Sequence, residues 1–491
     1  MRTTVLIAVL VLFGCALLWL AGSAFVSSVT TFAVRQEWPE GLGSADSVPR
    51  RYPPVETNDA ARSLIPIAAN LGVGMGRNSR GPETGPISDE ASSYVSSEVA
   101  RDNDAVQPPP AALGAFILAH ETDFRQVENL IQHSPIVWST HVEAAGDAHV
   151  PNLLGHLKLN RLLVARALAR HDDPAAWTDL QASWILSRGL LRRPELISTL
   201  VGLSMARTMN AAARSLPAPA PQWRDEMARF DYRRALIASQ QAEAWSVTTR
   251  LRHHSFVVDE DGHRNRLDPF HATANAVMTP FVDYAAAGLA KASRDSSLKL
   301  AGIKQCGMDG EAFTREVRDQ IPRWNVIARV SNLDLGSVWQ RVLRFRAELE
   351  ETSRILQLKE HGWPASLPGV EQSQCSDGHW TYNGRSLYFS KELPLPRSIK
   401  AMPLRFTTVR VPDGKLEESG RGPRVRVERP HRQPQPSIAA SYLLPNFSAP
   451  AKRLLGLAYD PVPMATMSFS TPAAVTSAPA PGPVTTSGFV L

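Results

Sequence analysis

The chain has 491 residues, of which 43% are hydrophobic, and a formal net charge of +6. The hydrophobic fraction is enough for a folded core and excludes a wholly disordered chain. The positive excess is small for this length and spread along the sequence, which argues against nucleic-acid binding. Arginine is much commoner than lysine, and alanine and proline are abundant, which suggests GC-rich coding and a bacterial source.

Residues 1–35 predict a membrane anchor. Residues 3–34 carry no charged side chain, and Arg2 and Arg35 flank them. The most apolar part, about 5–26, is long enough for a bilayer-spanning helix, which needs about 20 apolar residues. Because positive charge resists translocation, we expect a cytoplasmic N-terminus and an exported body. The expected location is the bacterial inner membrane, crossed once, with the bulk of the chain periplasmic or otherwise outside the cytoplasm.

Two other interpretations of this segment remain open. A cleaved signal peptide would end at the small residues from Gly22 to Ala24, although the apolar run from Val5 to Leu20 is longer than the usual core of such a peptide. A lipoprotein signal would use Cys15, but Phe13 is bulky where such signals need a small residue.

Residues 36–110 predict a linker and a mobile loop that contain one short helix. Residues 36–60 are rich in proline and charge, as expected of a linker leaving a membrane. Asn58 can cap a helix from Asp59 to Leu71, whose apolar residues recur at helical spacing. Residues 72–110 are rich in Gly, Ser and Pro, so we expect a mobile loop with a helical turn near Glu90 to Val99.

Residues 111–361 predict an α-helical domain. Long segments with apolar residues at helical spacing are joined by short connections, which favours antiparallel neighbours in a bundle or hairpin array. The predicted helices are Ala111–Gln132, Pro151–Arg170, Pro174–Leu191, Glu195–Leu216, Pro221–Arg252, Pro269–Ala292, Gly310–Asn332 and Leu335–Glu360. The fold class is therefore mostly α, with an exported multi-helix body behind the anchor.

Residues 362–429 predict a small β-containing element. Asn383-Gly384 suits a tight turn between Trp380–Tyr382 and Leu387–Phe389, so these residues should form a β-hairpin. Further strands are expected at Leu404–Val411 and Val425–Val427. From residue 430 to residue 491, Pro, Ala, Ser and Thr dominate, which predicts a disordered tail.

Two cysteines, Cys306 and Cys375, lie outside the anchor and should form a disulfide in an exported chain. Both are expected in loops, and the bridge would fasten the later helices to the β-hairpin. Two buried free thiols are the alternative. Two cysteines cannot make a structural zinc site, which normally takes four Cys or His ligands, and no cofactor or metal is predicted.

The best catalytic candidate is the cluster of His141, Glu143, Asp147, His149 and His156, and His141, Glu143 and His149 are its candidate catalytic residues. Histidines and carboxylates serve in metal sites and in general acid–base catalysis. His141-Val142-Glu143 has the His-x-Glu spacing of zinc deaminases, but the accompanying Pro-Cys-x-x-Cys is missing. Gly146 and Pro151 place most of the cluster on a loop, so we interpret it as a solvated connection.

The sequence thus favours a binding role over catalysis. The leading hypothesis is a membrane-anchored helical protein that binds or scaffolds another cell-envelope protein, with the bilayer itself contacted through residues 5–26. It rests on fold-level analogy with helical-hairpin proteins. The alternative is an envelope hydrolase or metal-dependent enzyme that uses the His141–His156 region.

Overall fold

The computed structural model describes residues 13–15, 17–25, 35–76, 85–144, 150–253, 269–321, 335–363, 371–393 and 402–408, together with Val11, Ser28 and Arg323. The described part is mostly helical with a small antiparallel sheet near its C-terminal end, as predicted. Residues 17–25 are helical. The helices that follow are α1 (Val48–Arg51), α2 (Asp59–Asn70), α3 (Gly85–Val99), α4 (Ala111–Ala119), α5 (Glu121–His133), α6 (Leu153–Ala169), α7 (Ala176–Leu191), α8 (Leu196–Ala213), α9 (Trp223–Arg229), α10 (Tyr232–His253), α11 (Pro269–Ala301), α12 (Gly310–Gln320) and α13 (Leu335–Glu360).

The helical body is built on α6, α7 and α8, which pack against one another. Asn152 caps α6, since its side-chain oxygen accepts a hydrogen bond from the Gly155 amide at 3.0 Å. Short connections follow α6 and α7 and make each of these helices pack on the next. Their apolar side chains form one large core that also takes in residues of α3, α5, α10 and α13.

Residues 36–60, predicted as a linker, are folded onto the helical body. Two short strands, β1 (Glu37–Trp38) and β2 (Gly43–Ser44), pair antiparallel. Trp38 is buried, as is Val48 in α1. Gln241 of α10 donates a hydrogen bond to the Gly43 carbonyl at 2.9 Å. The linker was predicted from the prolines and charged residues of this segment. Several of its few apolar residues are buried against the helical body, and their burial holds the segment in place.

Helix α3 is much longer than the single helical turn expected near Glu90–Val99. Ala91, Tyr94 and Val95 are buried and follow helical spacing, and α3 packs against α6. Tyr94 also donates a hydrogen bond to the Gln107 carbonyl at 2.8 Å. The low content of large apolar residues concealed a helix that needs only a narrow buried stripe.

Several helix limits differ from the prediction. The predicted Ala111–Gln132 helix is broken at His120 into α4 and α5, and the predicted Pro221–Arg252 helix is broken at Phe230 into α9 and α10. Helix α11 continues to Ala301, past the expected end at Ala292. Helix α13 has the predicted limits.

The β-element is an antiparallel sheet with strand order β3 (Glu371–Gln372), β4 (His379–Tyr382), β5 (Ser386–Leu393) and β6 (Met402–Thr407). The hairpin predicted around Asn383-Gly384 joins β4 to β5, with Trp380 opposite Phe389. Gly384 has a φ of 85°, a conformation that favours glycine.

The predicted disulfide is present: Cys306 and Cys375 are bonded, with their Cα atoms 5.3 Å apart. It lies in a second core, formed where the sheet packs on α13, and both cysteines are buried. Trp380 and Phe406 of the sheet and Ile355 of α13 belong to the same core. The bridge therefore ties the loop between α11 and α12 to the sheet.

Some predicted features lie outside the described residues. They are residues 5–10 and scattered positions of the expected membrane helix, the strand at Val425–Val427 and the tail from residue 430 to residue 491. Within the described ranges, no helix has both the length and the apolar character that a bilayer crossing requires.

Gly155 offers a test of this packing. A Cβ at this position would collide with the carbonyl oxygen of Gly74. We expect Gly155→Ala to lower the free energy of unfolding by about 2 kcal/mol, because backbone on both sides leaves little room to adjust. The matched control is Gly189→Ala in α7, where the new methyl group meets nothing within 4 Å. It should raise stability by about 0.5–1 kcal/mol, and equal effects in denaturant titrations would contradict the packing described.

Candidate functional site

The structure places His141 and Glu143 at the surface, in a stretch held by its backbone. Thr140 and Val55 exchange backbone hydrogen bonds of 2.8 and 3.0 Å. His141 Nε2 lies 3.2 Å from a carboxylate oxygen of the exposed Glu56. Glu143 is exposed, and the third candidate, His149, lies outside the described residues. These contacts are those of a surface loop beside residues 55–56.

His156 has a different environment. It is 1% exposed, and its Nδ1 lies 2.8 Å from the Asn152 carbonyl oxygen, to which it can donate a hydrogen bond. Its ring meets the edge of Trp138 at a centroid distance of 5.5 Å. Burial lowers the pKa of His156 to about 4, so the ring is neutral at physiological pH. His156 therefore has a packing role at the N-terminal end of α6. In the described ranges, no group of three or more His, Cys, Asp or Glu side chains is arranged to hold a metal ion.

The Arg166 cluster, which we define as Arg166, Arg170, Glu121, Glu128 and Asp179, joins three helices. Arg166 of α6 is 1% exposed. Its Nη1 donates to Glu128 at 2.9 Å and to Asp179 at 2.7 Å, and its Nη2 donates to Glu121 at 2.8 Å. Arg170 also donates to Asp179. The cluster links α5, α6 and α7 by charge-assisted hydrogen bonds, which are stronger than neutral ones.

Two carboxyl groups of this cluster, those of Asp179 and Glu121, have pKa values shifted in opposite directions. Burial and the adjacent Glu128 carboxyl raise the pKa of Asp179 well above its ordinary value. Burial also acts to raise the pKa of Glu121, but hydrogen bonds from Arg166 and Arg125 bring it below its ordinary value. The Arg166 guanidinium is occupied by carboxylates and shielded from water, so it cannot reach a dissolved substrate. The Arg166 cluster therefore fixes the helix packing.

The Glu348 cluster, defined as Arg207, Arg214, Arg344, Glu348 and Glu351, joins α8 to α13. Glu348 accepts hydrogen bonds from Nε and Nη2 of Arg207 at 2.9 and 2.7 Å. A third comes from Nε of Arg344, one turn earlier on α13, at 2.9 Å. Arg214 pairs with Glu351 at 2.6 Å. All five side chains lie at the interface of the two helices, where paired charges are costly to separate.

Glu348 and Glu351 are one turn apart, yet their pKa values move in opposite directions. Burial alone would raise the pKa of Glu348, but the charges and hydrogen bonds of Arg207, with the charge of Arg344, hold it at about 2. Burial raises the pKa of Glu351 to about 7, because the opposing attraction of Arg214 is weaker than the loss of hydration. Such separated pKa values also occur in catalytic sites, where a substrate must reach the carboxyl groups. Glu348 and Glu351 are 9% and 1% exposed, which favours a structural role over a catalytic one.

Arg224 of α9 lies beside this cluster and is 2% exposed. Its Nη2 donates to Asn210 Oδ1 at 2.9 Å and to the Leu349 carbonyl at 3.4 Å. Its Nε and Nη1 have no hydrogen-bond partner in the part of the chain that the structure describes. Burial lowers the pKa of Arg224 to about 10. The guanidinium is therefore incompletely satisfied but shut away from solvent.

A small cleft of about 250 Å³ opens near the C-terminal end of α8. Asp104, His171, Asp172, Lys359 and Trp363 are among the residues that line it. The Lys359 ammonium already donates to the carbonyl oxygen of Leu216 at 3.0 Å, and His171 Nε2 lies 3.2 Å from Asp172. Ligand pockets usually exceed about 300 Å³ and keep polar groups available. The cleft is therefore a weak candidate for a substrate site.

Sequence reasoning missed both charge clusters. The signal was a set of charged residues within otherwise apolar helices. Arg207 of α8 and Arg214, the residue directly after α8, are seven positions apart, and Arg344, Glu348 and Glu351 recur at intervals of four and three on α13. Such spacing places each set on one helix face. A single sequence does not show which helix faces pack against each other.

Comparison with known proteins adds no relative to this description. No protein-family model, curated protein or solved structure matches the chain.

Glu351 predicts a pH dependence of stability. Its folded pKa of about 7 lies above the ordinary 4.5, so the folded state keeps the proton to higher pH. Stability from this group is therefore present at low pH and lost as pH rises from about 4.5 to 7, by about 3 kcal/mol at most. Glu351→Gln should remove this loss, as measured by denaturant titration across that range. Glu360→Gln, at the exposed end of the same helix, is the control; if the two variants have the same pH profile, the assignment is wrong.

Proposed function

We propose that this chain is an exported, membrane-anchored helical protein that binds another protein of the bacterial cell envelope. The observation that carries the proposal is the disulfide between Cys306 and Cys375. Structural disulfides form and persist in oxidising compartments such as the periplasm, whereas the cytosol keeps most thiols reduced. The disulfide therefore supports export, and export is what the uncharged N-terminal segment predicts.

The N-terminal segment supports anchoring in the inner membrane. The described residues of this segment expose large apolar side chains, among them Phe13, Leu18 and Phe25 at 62%, 77% and 67%. Apolar exposure of this extent is typical of a surface that meets lipid or another protein. With the N-terminus in the cytoplasm, the folded body lies on the outer side of the membrane.

The use of the buried charges favours binding over catalysis. The Arg166 and Glu348 clusters hold helices together. Asp179, Glu348 and Glu351 are 0%, 9% and 1% exposed, so their perturbed pKa values have a structural explanation. His141 faces Glu56 at the surface, while His156 is buried beside Trp138. Among the described residues, these placements give the alternative, a hydrolase or metal-dependent enzyme at His141–His156, no supporting contact. An array of packed helices instead offers broad outer faces to a partner.

Cross-linking of the full-length protein in its own membranes tests the binding role. We expect a discrete complex of constant size and composition over a range of cross-linker concentrations. His141→Ala and Glu143→Gln should leave that complex unchanged, because both side chains belong to the surface loop. A chain that stays monomeric at every cross-linker concentration would contradict the binding role. Loss of an enzymatic activity of the purified protein in both variants would favour the alternative.

A further inference from the structure

The N-terminal helical residues lie beside α11. The rings of Trp19 and Phe281 are 5.9 Å apart between centroids. Further along both segments, Nε of Arg294 donates to the Glu37 carbonyl at 2.7 Å. The residue numbers rise together in these two contacts, so the N-terminal segment and α11 run in the same direction.

Contacts with helix α10 show which end of α11 lies against the helical body. It runs antiparallel to α11, with Arg233 donating to the Ala301 carbonyl at 3.1 Å and Gln240 accepting from Ser297 at 2.7 Å. Arg233 also pairs with Glu40 at 2.8 Å, just after the anchor. The C-terminal end of α11 therefore lies with the body, and its N-terminal end points back along the apolar segment.

The charge content of helix α11 changes near Phe281. From Pro269 to Val282 the sequence contains no Asp, Glu, Lys or Arg, and Asp268 and Asp283 bound this run. Phe281 is 61% exposed, whereas the adjacent Val282 is 1% exposed. A large aromatic ring is thus directed away from the body on the side where Trp19 lies.

We propose that the N-terminal half of α11, Pro269–Val282, is a second lipid-contacting element that lies in the bilayer beside the anchor. The proposal rests on the proposed membrane anchoring. Steps from Trp19 toward Phe13 and from Phe281 toward Pro269 lead in the same direction, into the apolar layer. A helix satisfies most of its own backbone hydrogen bonds, Pro280 removing one here, so a run without charged side chains enters hydrocarbon at a lower cost than a charged one.

The length of this run limits how deep it goes. The interval from Pro269 to Val282 corresponds to about 20 Å of helix at 1.5 Å per residue, less than the roughly 30 Å hydrocarbon layer. The run therefore enters the bilayer from one side and does not cross it. Trp19 and Phe281 then lie toward the outer interface, where aromatic side chains are enriched. The bilayer is favoured over a protein partner because the run has the same lack of charge as the anchor it accompanies.

Photolabelling from within the bilayer tests the proposal. The full-length protein is placed in vesicles of phosphatidylethanolamine and phosphatidylglycerol that contain an apolar carbene precursor, and labelled peptides are located by mass spectrometry. Leu298, 41% exposed on the same helix, and Leu118, 79% exposed on α4, are the matched apolar controls. We expect labelling of 1–34 and of 269–282 at least about tenfold above both controls, because an apolar probe concentrates in hydrocarbon.

Each other outcome has a separate meaning. Labelling of 1–34 without 269–282 overturns the inference and leaves the anchor intact. Labelling of 269–282 without 1–34 supports lipid contact by α11 and contradicts the anchor. Labelling of neither segment contradicts both. Equal labelling of 269–282 and Leu118 overturns the inference, because it would report exposed apolar surface and not depth in the bilayer.

Discussion

The disulfide between Cys306 and Cys375 determines where the last part of the described chain can lie. It closes a loop with a sequence separation of 69 residues that contains α12 and α13. Helix α13 packs on α8, and the sheet packs on α13, and the bridge fastens this sheet to the connection between α11 and α12. Short strands hold weakly by themselves. Arg344 adds a second attachment through the Leu393 carbonyl at 2.8 Å.

Buried charges perform the corresponding role inside the helical body. Arg166 and Glu348 each hold several partners from neighbouring helices, and both are closed to water. Pairs of this kind add little net stability compared with an apolar core, but removing one partner leaves an uncompensated charge. They therefore specify which helices pack together. The surfaces left for a partner are the outer faces of the helices, the proposed anchor and the uncharged half of α11.

Features that depend on adjacent residues were predicted correctly from the sequence, whereas contacts between residues far apart in the sequence were not. The limits of α13 and the hairpin at Asn383-Gly384 follow from helical spacing and turn chemistry, which are properties of adjacent residues. The docking of residues 36–60 depends on Gln241 and Arg233, about two hundred positions away, so a local reading took the segment for a linker. The charge clusters were missed for the same reason, because spacing identifies a helix face and not the face that it meets.

The thiol content of the protein isolated from cells tests the account most directly. Unfolded without reductant, the chain should show one reactive thiol, that of Cys15, and three after reduction. A count of none before reduction would mean that Cys15 has been removed, as in a cleaved signal peptide, or that its thiol is blocked, as in a lipoprotein. Three thiols before reduction would show that Cys306 and Cys375 are unpaired in the cell, and would contradict an exported, disulfide-bonded protein.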